Sequence, residues 1–291
     1  MKIKTSVGDI VKKNSKAMNI QNHLPIRTQS EACARFAQNI RAHIQNYVRD
    51  NKLQSLVLGI SGGIDSALCA VLLKPVCEVC NIPLIGRSIT IETNKPDEIE
   101  RSVKVGENFC HTFEHLDITN TFFENRKNLI GLDDSMLSKL RQGNMKARMR
   151  MMLLYDLAQL YRGIVIATDN FTEYLTGFWT LHGDVGDYAP ILHLWKTEVY
   201  ALAEYLLSEC NEKQKQALQL CIDAIPVDGL GISSCDCEQL GVKDYFEADQ
   251  LFVRYSQGET ALEEHALIKR YQQSHYKRKN PVTIERDVMM R

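Results

Sequence analysis

Leu56-Val57-Leu58-Gly59-Ile60 leads straight into Ser61-Gly62-Gly63-Ile64-Asp65-Ser66, and Ala67-Leu68-Cys69-Ala70-Val71-Leu72-Leu73 follows. A short apolar run, a tight polar turn and a longer apolar run predict strand, turn and helix. Adjacent glycines allow a sharp turn and leave no Cβ between backbone and ligand. The turn opens on a helix N-terminus, where unpaired N–H groups and the helix dipole favour phosphate. Ser61 and Ser66 add hydroxyl donors. Asp65 is negative, so it suits a polyphosphate site only if a divalent cation bridges the two.

No Gly-Lys-Ser/Thr ends this turn, and its glycines are adjacent, so it is neither the Lys-containing P-loop nor the dinucleotide fingerprint. The hexapeptide resembles the SGGxDS signature of the ATP pyrophosphatases. Those enzymes cleave ATP between its α- and β-phosphates and adenylate a substrate. A Gly-Gly turn before a helix also serves purely structural ends, but the two serines, the Asp and the upstream strand together favour the nucleotide reading.

Working outward, 291 residues allow one large α/β domain or two small ones. The apolar fraction of 44% is that of a globular protein with a sizeable core. A net charge of −1 gives no overall pull toward nucleic acid or membrane. No apolar run reaches the roughly 18 residues of a membrane span, and Met1-Lys2-Ile3-Lys4-Thr5 lacks a signal-peptide core. A cytoplasmic protein is expected. Nine cysteines, an odd number in a large unsignalled chain, read mostly as reduced thiols. Cys77/Cys80 and Cys235/Cys237 form two close pairs that offer four thiolates to zinc or an iron–sulfur cluster. No His-rich partner stands at finger spacing.

Residues 1–29 show little periodicity and read as an N-terminal arm, with 30–291 as a single domain. From Ser30, apolar positions recur at threes and fours through Val48, an amphipathic helix. Residues 82–89 read as a strand and 96–109 as a helix with Pro96 near its start. Strand 112–116 and helix 118–130 follow, then a long helix over 135–161 whose apolar positions include Leu140, Met145, Met149, Met152, Leu153, Leu157 and Leu160. Gly163-Ile164-Val165-Ile166-Ala167 is a fully apolar strand. Helices are expected at 170–176, 196–207, 211–220, 245–255 and 259–271. Pro226 to Cys237, containing Asp228-Gly229-Leu230-Gly231, reads as a mobile loop. Strand–helix alternation with apolar strands predicts an α/β fold, a parallel sheet flanked by helices on both faces. Ligands then gather at the carboxyl ends of the strands. Both the hexapeptide and Thr168-Asp169 leave such ends.

Two further blocks carry chemistry. In Gly143-Asn144-Met145-Lys146-Ala147-Arg148-Met149-Arg150, Lys146 and Arg150 share a helical face and Arg148 lies about 160° away. Taken alone, this block reads as a solvated face of snorkelling cations. In Thr168-Asp169-Asn170-Phe171-Thr172-Glu173, the i, i+4 spacing lets Asp169 and Glu173 share a face at a helix start. Beside a polyphosphate they are better read as metal ligands than as plain dipole partners. His182-Gly183-Asp184-Val185-Gly186-Asp187 is an acidic loop, and Lys196 opens a helix.

Together these blocks resemble ammonia-dependent NAD synthetase, within the Rossmann-like ATP pyrophosphatases. The resemblance rests on the SGGxDS turn, GN-x-KAR-x-R at Gly143–Arg150 and TD-x-x-x-E-x-x-TGF at Thr168–Phe178. It continues through Gly183-Asp184 and Lys196 to a basic Lys277-Arg278. The blocks occur in family order over roughly Ser30 to Thr283. The resemblance implies a homodimer that uses ATP as co-substrate and Mg²⁺ held by the ATP phosphates with Asp65 and Glu173. It assigns Ser61, Gly62, Gly63, Ile64, Asp65, Ser66, Arg87, Thr168 and Lys196 to ATP. It assigns Arg148, Tyr155, Phe178, Asp184 and Lys277 to deamido-NAD, partly across the dimer interface. Pro226–Cys237 matches the family's lid by position. The chain departs from the family at Leu181-His182, where Lys-Tyr is common. It departs again at Val185-Gly186 in place of Gly-Gly, and at Tyr276 in place of His.

The implied chemistry is physically coherent. A carboxylate resists attack by ammonia because oxide would have to leave. Attack of that carboxylate on the α-phosphorus of ATP gives an acyl-adenylate and pyrophosphate, and ammonia then displaces AMP. Asp65, Asp169 and Lys196 are the catalytic candidates, with Asp169 or Asp184 orienting ammonium. A tRNA-thiolating ATP pyrophosphatase is the rival enzyme, served by Cys77/Cys80 and the Lys146–Arg150 cluster. Near-neutral charge counts against it. A non-enzymatic nucleotide sensor would need the turn without Glu173 and Lys196.

Overall fold

A computed structural model describes Ile20 and residues 30–92, 94–227, 235–284 and 286–290. Most of the 1–29 arm, and residues 228–234 of the stretch read as a lid, therefore lie outside the described residues. Four strands form one parallel sheet: β1 (Leu56–Gly59), β2 (Leu84–Thr90), β3 (Thr112–Asp117) and β4 (Ile164–Ile166), in the order β3-β2-β1-β4. The helices, in chain order, are α1 (Ser30–Asp50), α2 (Ile64–Cys80), α3 (Pro96–Phe109), α4 (Thr119–Arg126) and α5 (Met136–Leu160). They continue with α6 (Phe171–Thr176), α7 (Lys196–Leu206), α8 (Glu212–Ile222), α9 (Asp236–Leu240), α10 (Tyr245–Ser256) and α11 (Ala266–Gln273), then α12 (His275–Arg278) and α13 (Arg286–Met289).

The central strands are apolar on both sides because both faces are covered. Leu56 and Leu58 of β1 join the core built from α1, α2, α7 and α8. Val57, between them, points the other way and packs with Val165, Ile85 and the α5 residues Met151, Leu154 and Ala158. This period of two is the strand's own. From β1 the chain steps outward to β2 and β3, then returns across the other face through α5 to β4. The strand order thus reverses between β1 and β4, and the crevice beyond their carboxyl ends is where such sheets take ligands. A second, smaller core gathers Phe171, Leu175, Trp195, Tyr245, Phe252 and Leu267 with Ile20, and it backs that crevice.

Three expectations change. The 259–271 helix is a 3-10 turn, Thr260–Glu264, followed by α11. Lys146 and Arg150 are not a solvated face. Lys146 is buried in an ion pair with Glu92 at 2.9 Å, its ammonium over the Phe122 ring. Arg150 donates to the Ile89 carbonyl at 2.8 Å and the Asn94 side chain at 2.9 Å. The apolar residues of α5 also divide differently. Met149, Met151 and Leu154 are buried, whereas Leu140, Met152 and Leu160 face outward.

Candidate active site at the carboxyl ends of β1 and β4

A cavity of about 610 Å³ opens at the strand ends. Its wall carries Ser61 to Asp65, Arg87, Thr168, Asp169, Glu173 and Lys196. Arg148, Phe178, Asp184 and Lys277 complete the expected set on that wall. Ser66 and Tyr155 are the two exceptions. Ser66 is buried, and its hydroxyl is held inside the turn: Oγ donates to the Gly63 carbonyl at 3.1 Å and accepts the Ser61 N–H at 3.2 Å. Ser61 Oγ lies 3.0 Å from it and accepts the Gly63 N–H at 3.2 Å. Both serines therefore brace the turn. Tyr155 sits on the outer face of α5, where its hydroxyl donates to Asp187 at 3.1 Å.

The two glycines have different jobs. Gly62 has φ +84°, and a Cβ there would stand 2.4 Å from the Glu98 carbonyl oxygen on α3. The fold itself demands glycine at this point. Gly63 has φ −89°, and its Cβ would meet only Ser61 Oγ, at an ordinary 3.4 Å. The protein alone leaves room for a side chain at Gly63.

At the centre, the Lys196 ammonium donates to Asp65 Oδ2 at 2.5 Å and to Glu173 Oε1 at 3.1 Å. It also lies 5.0 Å from the centroid of the Tyr245 ring. Asp65 comes from the first turn of α2, Glu173 from α6, and Lys196 from the first residue of α7. Burial raises the Glu173 carboxyl above its ordinary range, and the Asp65 charge adds to this while Lys196 opposes it. Burial lowers the Lys196 ammonium, but Asp65 and Glu173 outweigh it and hold the group well above the ordinary lysine value. Two hard oxygen donors converging from separate elements fit a Mg²⁺ whose remaining ligands come from phosphate and water. Among the described residues, no group of three or more His, Cys, Asp or Glu side chains is arranged to hold a metal ion.

Asp169 lies elsewhere than its spacing suggests. The Asn170 side chain caps α6, accepting the Glu173 N–H at 3.0 Å, so Asp169 precedes the helix instead of sharing a helical face with Glu173. It still lines the cavity. Burial, then Asp184, Glu173 and Asp65, push its carboxyl well above the ordinary value. Asp184 accepts the Thr180 N–H at 2.8 Å, and burial raises its carboxyl too. Lys277 donates to the carbonyls of Gly177 and Trp179. Arg148 donates to the Leu181 carbonyl at 3.1 and 3.3 Å. That contact uses the backbone, so the Leu181 departure leaves it in place. Arg87 pairs with Glu114 of the edge strand at 3.1 Å.

Several polar residues of the site escape sequence reading. Asn170 Nδ2 donates to Asp65 Oδ1 at 2.8 Å. Arg101 donates through Nε to the Gly62 carbonyl at 3.0 Å and lines the cavity. Thr172, Thr197 and Asp249 form a hydrogen-bonded cluster behind Lys196, with Thr172 and Asp249 buried. Only the Asn170-x-x-Glu173 capping box carries a local signal. The cysteine pairs stay outside this chemistry. None of Cys77, Cys80, Cys235 and Cys237 lines the cavity, and among the described residues no group of three or more His, Cys, Asp or Glu side chains is arranged to hold a metal ion. Burial raises the Cys77 and Cys237 thiols above their ordinary value.

The family profile described as NAD synthase matches residues 36–281. The chain belongs to the NAD synthase family. Among relatives of this NAD synthase family member, the NH(3)-dependent NAD(+) synthetase of Thermococcus sibiricus is 31% identical over 222 residues, 76% of this chain and 80% of the relative. That of Methanocaldococcus jannaschii is 31% identical over 242 residues, 81% of this chain and 86% of the relative. An NMN synthetase structure from Francisella tularensis superposes with a TM-score of 0.73 at 27% identity, covering 87% of this chain and 98% of that one. The NH3-dependent NAD synthetase of Campylobacter jejuni superposes with a TM-score of 0.65 at 25% identity, covering 87% and 99%.

Proposed function

We propose that this NAD synthase family member joins ammonia to the carboxylate of deamido-NAD, converting ATP to AMP and pyrophosphate through an acyl-adenylate. The observation that carries the reading is the Lys196 bridge between Asp65 and Glu173 beside the glycine turn, in a cavity that also holds Phe178 and Asp184. A nucleotide sensor has no need for that buried triad.

The roles follow from charge and position. The start of α2, at the end of the Ser61–Ser66 turn, presents backbone N–H groups to the phosphates, and Arg87, Thr168 and Lys196 line the ATP side. Asp65 and Glu173 would hold Mg²⁺, which would supply positive charge facing the pyrophosphate that leaves. Lys196 keeps the two carboxylates converged and adds positive charge at the same point. Arg148, Phe178, Asp184 and Lys277 line the acid substrate's side. Ammonium must lose a proton before nitrogen can attack the acyl carbon. A carboxylate with a raised pKa is a better base once ionised, and Asp169 and Asp184 both qualify. Nitrogen then bonds to the acyl carbon as the carbon–oxygen bond to AMP breaks.

The working unit is a homodimer. On α5, Met136, Leu137, Leu140, Met152, Tyr155 and Leu160 leave apolar surface exposed, and symmetric burial against a second copy would cover it. Tyr155 then serves a substrate site at the interface instead of its own chain's cavity. A second reading of the substrate is favoured by the likeness to the Francisella NMN synthetase, together with the departures Leu181-His182, Val185-Gly186 and Tyr276. Leu181 and Tyr276 line the cavity. In that reading the amidated acid is the mononucleotide.

One experiment separates these readings. Purified protein receives ATP, Mg²⁺, ammonium and either deamido-NAD or the mononucleotide acid, and amide, AMP and pyrophosphate are counted. Equal amounts of amide and AMP from one acid identify the substrate. Absence of AMP with both acids would refute the ligase reading.

A further inference from the structure

Lys196 can reach Asp65 and Glu173 together only if α6 and α7 keep a fixed spacing. One backbone bond, Phe171 N–H to the Leu194 carbonyl at 2.7 Å, ties the approaches to the two helices. Further links come from the Thr172 hydroxyl, from the Phe171–Trp195 ring contact and from a third helix. Asp249 on α10 is 1% exposed and uses both carboxylate oxygens. Oδ1 accepts the Thr172 hydroxyl at 2.5 Å, from α6. Oδ2 accepts the Thr197 N–H at 3.1 Å and its hydroxyl at 2.8 Å, from the first turn of α7. The Thr172 hydroxyl in turn accepts the Lys196 N–H at 3.0 Å. Thr172 precedes Glu173 in sequence and Thr197 follows Lys196, so the cluster grips both partners of the ion pair from behind.

We infer that Asp249 is a positioning residue for the ATP half of the reaction, setting Lys196 against Asp65 and Glu173 by clamping the starts of α6 and α7. The inference rests on the amidation reading above only for its name; its physical content is the placement of the triad. Both oxygens receive protons, so the clamp requires an acceptor on each side. Asparagine supplies one acceptor and one NH₂. With the NH₂ toward Thr197, two donors face each other. With it toward Thr172, that hydroxyl can no longer donate forward. Either way one side of the clamp opens and Lys196 shifts relative to Glu173.

The test is Asp249→Asn, with Thr197→Val as a milder companion that keeps the carboxylate. Mg·ATP binding is measured by calorimetry without ammonium or acid substrate, so no turnover is needed. In Asp249→Asn the Mg·ATP Kd rises about tenfold, within the range for an unsatisfied buried polar group. Its kcat falls while KM for the acid nucleotide stays within about twofold. Thr197→Val changes the same quantities in the same direction by less. A merely structural role would lower the melting temperature and the active fraction and leave the Mg·ATP Kd of the folded fraction unchanged; that result overturns the inference. If Asp249→Asn does not fold, an unchanged Mg·ATP Kd in Thr197→Val overturns it instead. Wild-type protein that binds Mg·ATP but makes no AMP refutes amidation, while the two variants still decide the clamp.

Discussion

Replacing each glycine of the turn by alanine separates what the fold requires from what the ligand requires. At Gly62 the backbone is left-handed, and an L side chain there costs roughly 1–2 kcal/mol. The added Cβ also falls 2.4 Å from the Glu98 carbonyl, so α3 must move, and overpacking of this kind costs roughly 1–3 kcal/mol. Gly62→Ala should therefore lose about 3 kcal/mol, a fall in Tm of roughly 6–12 °C for a chain of this size. At Gly63 the backbone suits alanine and the new Cβ meets Ser61 Oγ at 3.4 Å. Stability of Gly63→Ala should change by less than about 1 kcal/mol, and it can rise because the unfolded chain loses freedom. The same methyl group stands where phosphate must approach the N–H groups, so Mg·ATP affinity should fall at least about tenfold. Thermal melting and calorimetric titration of both variants check this. Equal melting of the two variants, or undiminished Mg·ATP binding by Gly63→Ala, would refute the division of labour.

Other outcomes follow from the same geometry. Asp65→Asn and Glu173→Gln should each abolish pyrophosphate release while leaving the circular dichroism of the fold intact; near-normal release by either removes that residue from the metal site. Burial pushes the Asp249 carboxyl up to about 6, against the opposing Thr172 and Thr197 bonds. A raised acid favours the folded state fully below its unfolded pKa and loses that contribution as pH climbs through about 6. Asp249→Asn lacks this loss, so urea titrations should show its stability gaining ~3 kcal/mol on wild type between pH 3.5 and pH 7; a pH-independent difference contradicts the shift. Replacing Cys77 and Cys80 with alanine should leave turnover largely unchanged, whereas release of a bound metal with loss of activity would favour the thiolation reading. Sedimentation should report twice the chain mass, and a fully active monomer would sink the dimer.

The sheet was readable because its strands are short apolar runs bounded by turn residues, a local signal. Helix α3 could be placed to the residue because Pro96 marks its start. The hexapeptide was readable for the same reason: its chemistry lies in six consecutive positions. What stayed hidden depends on partners distant in the chain. Asn170 meets Asp65 across 105 positions, and Thr172 meets Asp249 across 77. Asn, Thr and Asp at those places look like ordinary cap and surface residues until the fold joins them. Lys146 and Arg150 misled for the converse reason. Two cations on one helical face suggest solvent, but Glu92, Asn94 and the Ile89 carbonyl, brought over by β2 and the β2–α3 connection, help make their burial tolerable, with the Phe122 ring under Lys146. Asp169 misled by one residue of register, since Asn170 takes the cap and leaves Asp169 outside the helix.

The cavity carries charges of both signs close together, and this makes ATP binding depend on what accompanies the nucleotide. Asp65, Glu173, Asp169 and Asp184 line it, and burial raises the carboxyls of the last three. Arg87, Arg101, Arg148, Arg150 and Lys277 also line the wall, and Lys196 directly bridges two of the acids. A bare triphosphate gains from the arginines but must place oxygens near Asp65 and Glu173. Like charges about 4 Å apart cost about 4 kcal/mol at an effective dielectric of 20, before the protein relaxes. A divalent cation between them turns that repulsion into two attractions. ATP should therefore bind at least about a hundredfold more weakly in excess chelator than with Mg²⁺, the equivalent of ~3 kcal/mol. In Asp65→Asn and Glu173→Gln, which each remove one negative charge, binding of chelated ATP should improve while binding of Mg·ATP weakens. Calorimetric titration of the three proteins in both conditions gives six affinities with a required crossing. Parallel losses in both conditions would mean that these carboxylates shape the site without holding a metal.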